Sequence, residues 1–278
     1  MRILFLCLAL MAAGAVRADD ADPVIRWMVT GVPPKVIQDG PFRGTGHGEQ
    51  QVALLTRRLP QFGHRFEVVT PARLWHEMQA GQGVCSVDIA DLPEREAWAV
   101  FSRHQTSIPA YRVLVLKDRL PEFAEFRDRD GRIDLDRLAA SDRFTGISVA
   151  GRHYMPEITK FLSDPARKAP VDAMSSSTRI FEMVAGGRGD FSFASITEMN
   201  YFNALNAAAP PGGKAWPPLA MIPVKGVTAQ VHGHIACSRD PLGKELIEAA
   251  DRLLDDEAVW SEFLAPEQRW VGDISPGK

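Results

Sequence analysis

Residues 84–96 read VCSVDIADLPERE, and Phe101-Ser102 follow a few positions on. Val84 to Ile89 is a short apolar run bounded by Gly83 and Pro93. Its length and punctuation suit a buried strand. Leu92 to Phe101 is then expected to be helical, with Arg95 in its first turn.

The same alternation extends outward in both directions. Val24 to Val29 reads as a first strand, followed by a Pro/Gly-rich segment from Gly31 to Gly48. Glu49 to Leu59 places Val52, Leu55 and Leu59 at helical spacing, and Pro60 stops it. Phe66 to Val69 is a second strand. Pro71 to Ala80 is a helix closed by Gly81 at C′. Tyr111 to Leu116 is a fourth strand. After a charged stretch from Asp118 to Arg143 the pattern restarts. Strands are expected at Thr145 to Val149, Asp190 to Ala194, Leu219 to Pro223 and Gln230 to Cys237. Helices are expected from Pro156 to Leu162, Thr178 to Ala185 and Thr197 to Leu205. A long helix opens at Pro241, with Leu246, Ile247, Ala250, Leu253 and Leu254 on one face, and a last one carries Trp260 and Phe263. Strands alternating with helices define an α/β protein. The restart suggests two α/β units, the second inserted in the first.

The chain has 278 residues, 45% apolar and 24% charged, the balance of a soluble globular protein. Arg2, the apolar run Ile3 to Val16 and the small residues flanking Arg17 match a secretory leader, with cleavage expected after Ala18. The alternative, a membrane anchor, is disfavoured because the run is short and Asp19-Asp20 follow at once. Removing Arg2 and Arg17 takes the formal charge from −3 to −5, which argues against nucleic acid as a partner. Cys85 and Cys237 remain. In an oxidising compartment an even pair suggests a disulfide, worth roughly 5 kcal/mol in the chain-entropy model; two buried thiols are the alternative.

Several landmarks, taken in order, resemble the bacterial extracellular solute-binding protein family 3, the amino-acid-type periplasmic binding proteins. Pro33-Pro34 with Asp39-Gly40 and Gly44 resembles the family's opening loop. Leu74, Gly81 and Val84 to Asp88 resemble its helix-to-strand step. Leu92-Pro93-Glu94-Arg95-Glu96 with Phe101-Ser102 resembles its threonine-x-x-arginine motif, with Leu92 in place of the threonine. Gly146 to Gly151, Gly187-Arg188-Gly189-Asp190 and Cys237 to Gly243 resemble the opening of the second lobe, a glycine-arginine-x-aspartate step and the return to lobe one. The resemblance spans nearly all of the chain after the leader. It implies a two-lobed fold, with lobe one at 24–117 plus 228–278, lobe two at 118–227, and crossovers near Lys117 to Leu120 and Val224 to Thr228. Both cysteines would then lie on strands of lobe one.

The resemblance assigns Arg95 to a ligand carboxylate. A guanidinium suits that role, being a permanently charged planar fork. The plainer reading is a surface arginine beside Glu94 and Glu96. Asp88 and Ala90 precede the motif where the family lines its cleft. Where amino-acid binders place an aromatic this chain has Val32 and Lys35, and where they place an acid for the ligand ammonium it has Ser195. A standard α-amino acid would then lack a partner for its ammonium, and the anionic ligand expected, with one carboxylate or more, rests on Arg95 facing Arg152. Gly151 and Arg152, with His153, open a helix of the second lobe, where anions are favoured; Arg152 as a solvated helix start is the alternative. Gly44 to Gly48 lacks the lysine of a phosphate loop, so Thr45 and Gly46 are candidates only for contact through a turn. His232 and His234 share a strand face without a third metal ligand. No nucleophile elbow or zinc-protease motif is present.

The expectation is a monomeric periplasmic protein, not an enzyme, without a cofactor, that binds a small anionic ligand between two lobes for an ABC-type permease. The alternatives are a periplasmic dehydratase acting on cyclic carboxylic acids and a sensory or accessory module. A fused wall-cleaving domain is not expected in a chain of this length.

Overall fold

The computed structural model describes residues 24–272 other than 175, 211, 214 and 229. The leader and its cut after Ala18 lie outside the described residues. No helix among the described residues is long and apolar enough to cross a membrane.

Among the described residues, eleven strands fall into two sheets. The first holds β1 (Val24–Thr30), β2 (Gly63–Val69), β3 (Val84–Ala90), β4 (Ala99–Phe101), β5 (Thr106–Pro109) and β11 (Gln230–Ser238). Its order is β2-β1-β3-β11-β4, with β5 also on β11. The second holds β6 (Arg112–Leu116), β7 (Gly146–Val149), β8 (Val171–Met174), β9 (Phe191–Ala194) and β10 (Leu219–Ile222), in the order β10-β6-β9-β7-β8. Every strand of the second sheet falls between β5 and β11, so the second α/β unit is inserted in the first.

The described residues also form eight α-helices: α1 (His47–Arg58), α2 (Pro71–Ala80), α3 (Leu135–Ala139), α4 (Pro156–Ser163), α5 (Ser177–Ala185), α6 (Ile196–Ala207), α7 (Pro241–Leu254) and α8 (Glu257–Val271). Thr70, Ser176, Ser195, Asp240 and Asp256 cap α2, α5, α6, α7 and α8 by accepting backbone N–H groups. Alternation along β1 sends Ile25, Trp27 and Val29 to a core shared with α1, α7 and α8, while Met28 packs on the other face with Leu74 and Met78 of α2. Cys85 and Cys237 face each other across the antiparallel β3–β11 pair and are disulfide-bonded.

Two expectations need correction. The first change of sheet lies at Ala110–Tyr111, not at Lys117 to Leu120, because β6 pairs antiparallel with β9 and β10. Val113, Leu114 and Val115 are buried alternately on the two faces of the second sheet, so the charged residues from Asp118 mark a strand end and not a change of lobe. Leu92 to Phe101 is not a helix either. Pro93–Arg95 forms one 3-10 turn, after which Ala99–Phe101 pairs with β11. Tertiary pairing there overrides local propensity. The return crossing lies between Ile222 of β10 and Gln230 of β11.

The lobes also meet through α8. Trp270 packs with Ile37 of lobe one and Tyr201 of α6, and Asn200 Nδ2 donates to the carbonyls of Trp270 (2.9 Å) and Val271 (3.1 Å).

Candidate functional site

In each sheet the strand order reverses at one point. In the first it lies between β1 and β3, in the second between β7 and β9. Loops leaving the carboxyl ends of strands at such points diverge and open a crevice. Here the two crevices face each other across a cleft of about 1580 Å³, lined from lobe one by residues after β1 and β3 and from lobe two by residues after β7, β8 and β9.

Arg95 stands on the lobe-one wall. It is 6% exposed, its Nη1 donates to Ala90 O at 2.9 Å, and its guanidinium lies 4.4 Å from the Trp75 ring centroid. Glu94 and Glu96 do not pair with it, and it forms no ion pair among the described residues. Burial lowers its pKa, opposed by Glu94, but an arginine stays protonated at any physiological pH. The charge is held over an indole, and the one side-chain hydrogen bond it makes among the described residues leaves its other N–H groups uncommitted. Arg73, by contrast, is engaged by Glu67 at 3.1 Å.

The floor of the cleft is an ionisable cluster. Asp88, at the end of β3, accepts from Thr106 Oγ1 at 2.9 Å, and its Oδ2 lies 3.0 Å from His47 Nε2. Burial raises its pKa, but His47, Lys35 and Thr106 outweigh this and bring it down to about 2. Lys35 Nζ donates to Val87 O at 2.5 Å. Glu267 reaches the cleft from α8. Burial, then Asp88, push its pKa up to about 8 against the pull of Lys35.

The lobe-two wall is built around Arg152. Its Nη2 donates to Glu198 Oε1 at 2.8 Å, with both side chains 6% exposed, and its guanidinium sits 5.3 Å and 5.9 Å from the Tyr111 and Tyr154 ring centroids. Burial works against its charge, but Glu198 and the two phenols outweigh this and raise its pKa. Burial also lifts the Tyr111 phenol to about 12. Glu198 Oε2 closes a capping box at Ser195, accepting from the Ser195 N–H (2.9 Å) and Oγ (3.1 Å).

The cleft therefore gathers Arg95, Arg152, Asp88, Ala90, Gly151 and Ser195, but in different states. Ala90 contributes the carbonyl that aims Arg95. Gly151 turns with φ +70° at the cleft edge. Arg152 is neither a solvated helix start nor an available cation, because Glu198 neutralises it. Ser195 is committed to its cap. Thr45 lies outside the cleft, its Oγ1 donating to Phe42 O at 2.7 Å. The glycine beside it serves packing: a Cβ on Gly46 would sit 2.5 Å from Lys35 O. Sequence reasoning missed Trp75, Tyr111, Tyr154, Glu198, His47 and Glu267. Of these only Glu198, three residues after Ser195 as in a capping box, carries a local signal. No group of three or more His, Cys, Asp or Glu among the described residues is placed to hold a metal.

No family model matches the chain, and no curated protein matches it. Solved structures do. A putative L-cystine ABC transporter protein from Listeria monocytogenes superposes with a TM-score of 0.65 at 15% identity, covering 90% of this chain and 96% of that one. A mutant of ArgBP from T. maritima gives 0.63 at 16%, covering 89% and 95%. The periplasmic VFT2 domain of Bordetella pertussis BvgS gives 0.58 at 19%, covering 90% and 94%. The fold is the two-lobed α/β architecture of these binding proteins, as the landmarks in the sequence imply.

Proposed function

We propose that the chain is a binding protein and not an enzyme, and that it captures a small ligand bearing an anionic group, foremost a carboxylate, between its lobes. In this reading it acts in the periplasm as a monomer and delivers its ligand to an ABC-type permease. The observation that carries the reading is Arg95: buried in the cleft, stacked on Trp75 and without a carboxylate partner among the described residues. A buried cation in that condition is a receptor waiting for its counter-ion. Ligand contact with the lobe-two loops at Val149 to Met155 would favour a closed arrangement by hinge motion.

Calorimetric titration with mono- and dicarboxylates, and with amines as contrast, tests this. Arg95→Leu is expected to abolish carboxylate binding. Arg95→Lys is expected to weaken it about tenfold by replacing a fork with a point charge. Binding that prefers amines, or that is unchanged in Arg95→Leu, refutes the proposal.

A further inference from the structure

A second cation hangs on the same strand end as Arg95. His234 pairs with Ile89 and Ala236 with Ser86, so two steps on β11 face three on β3. β3 therefore bulges at Val87–Asp88, where Asp88 takes φ +52°. A bulge leaves backbone groups out of the ladder. The Lys35 ammonium takes up two of them, with Nζ 2.5 Å from Val87 O and 3.5 Å from Asp88 O. Its segment is seated on the start of α1, where Gly46 and Gly48 leave room: a Cβ on either would lie 2.5 Å from Lys35 O or 2.9 Å from Lys35 Cγ. An ammonium carries three N–H groups, so one remains, and Lys35 lines the cleft. Lys35 forms no ion pair among the described residues. Arg95 binds Ala90 O, three residues beyond Val87. At about 3.3 Å per residue the two anchoring carbonyls are at most roughly 10 Å apart.

Resting on the Arg95 reading, we infer that Lys35 and Arg95 together hold a small dicarboxylate, one carboxylate on each. The carbonyls that a ligand amine would seek at this strand end are already taken by Lys35, so an added α-amino group gains nothing and meets a like charge. Glu267 sets the pH range. It is 6% exposed, its carboxyl makes no hydrogen bond among the described residues, and it lines the cleft beside Lys35 and Asp88. The other titratable groups of this floor are Lys35, Asp88 and, behind it, His47. Glu267 keeps its proton up to about pH 8, and above that it confronts the ligand with another negative charge. Burial lowers the pKa of Lys35, with Asp88 and Glu267 opposing it. The charge added at Glu267 weakens a dianion more than a monoanion.

The test titrates the wild-type protein with succinate, glutarate and adipate, and with pentanoate and glutamate, at pH 6.5 and pH 9. At least one diacid is expected to bind about tenfold or more tighter than pentanoate and glutamate, and to lose about tenfold by pH 9 while pentanoate changes little. Lys35→Met, checked for folding by thermal unfolding, should reduce the diacid to the level of pentanoate, and Lys35→Arg should restore part of the difference. If pentanoate binds through Arg95 as tightly as every diacid, or a folded Lys35→Met keeps the diacid advantage, the dicarboxylate assignment falls and the Arg95 reading stands. If no carboxylate binds, both fall. Should Lys35→Met fail to fold, the wild-type pH comparison decides alone.

Discussion

Glu198→Gln removes one charge from a pair that has little contact with water. Arg152 and Glu198 are each 6% exposed and 2.8 Å apart, and Arg152 Nη1 is buried without a partner. The substitution leaves the guanidinium in place with no carboxylate to neutralise it. Breaking one side of a buried pair costs about 3–5 kcal/mol. The neutral amide can still accept from the Ser195 N–H or from Arg152, but it cannot serve both sites as two carboxylate oxygens do. The expected loss is therefore about 3 kcal/mol or more, which for a chain of this size lowers the melting temperature by roughly 10 °C. Urea unfolding of Glu198→Gln, Arg152→Met and the double variant closes a cycle. The double variant should be clearly more stable than the sum of the two single losses predicts, because removing both partners leaves no uncompensated charge. A loss below about 1 kcal/mol in Glu198→Gln, or an additive cycle, would refute the claim that Glu198 neutralises Arg152 and withholds it from ligand.

Other perturbations have equally definite outcomes. The bond between Cys85 and Cys237 closes a loop of 152 residues that contains all of lobe two. Replacing both by Ala should lower stability by about 5 kcal/mol in denaturant titration, and reductant should do the same to wild type but nothing to the variant. The carboxyl of Glu267 titrates near 8 when folded against an ordinary 4.5, so the native state holds a proton that the unfolded chain has lost. Stability should accordingly fall as pH rises from about 4.5 to 8, and Glu267→Gln should flatten that slope. Asp88 behaves in the opposite sense: with its pKa depressed to about 2, its contribution is present above pH 4 and disappears as pH falls toward 2. Gly46→Ala drives a Cβ to 2.5 Å from the Lys35 carbonyl, and unfolding experiments should find it destabilised by about 1–3 kcal/mol.

Much of the fold was legible because its elements are locally signalled. Pro71, Pro156 and Pro241 each open a helix, Gly81 closes one, and β1, β3 and β11 are apolar runs of strand length. The failures share a physical origin. Ala99–Phe101 and Thr106–Pro109 are strands only because β11 lies alongside them, and three or four residues carry no readable period. The first crossing was misplaced because a change of sheet leaves no mark on composition. At the site, the position of Arg95 in the cleft was legible from its motif. The partner that disables Arg152 was not, since Glu198 lies 46 residues away. Trp75 looks like any apolar residue of α2, and Glu267, ten residues into the last helix, like any surface carboxylate until the fold carries it to the cleft.

The most direct test is a crystal structure of the wild-type protein with a bound carboxylate ligand. A carboxylate forked on the Arg95 guanidinium, with the same molecule touching the loop from Val149 to Met155, is the predicted result. A ligand bound elsewhere, or one in the cleft that leaves Arg95 on Trp75 and Ala90 O alone, would contradict the account.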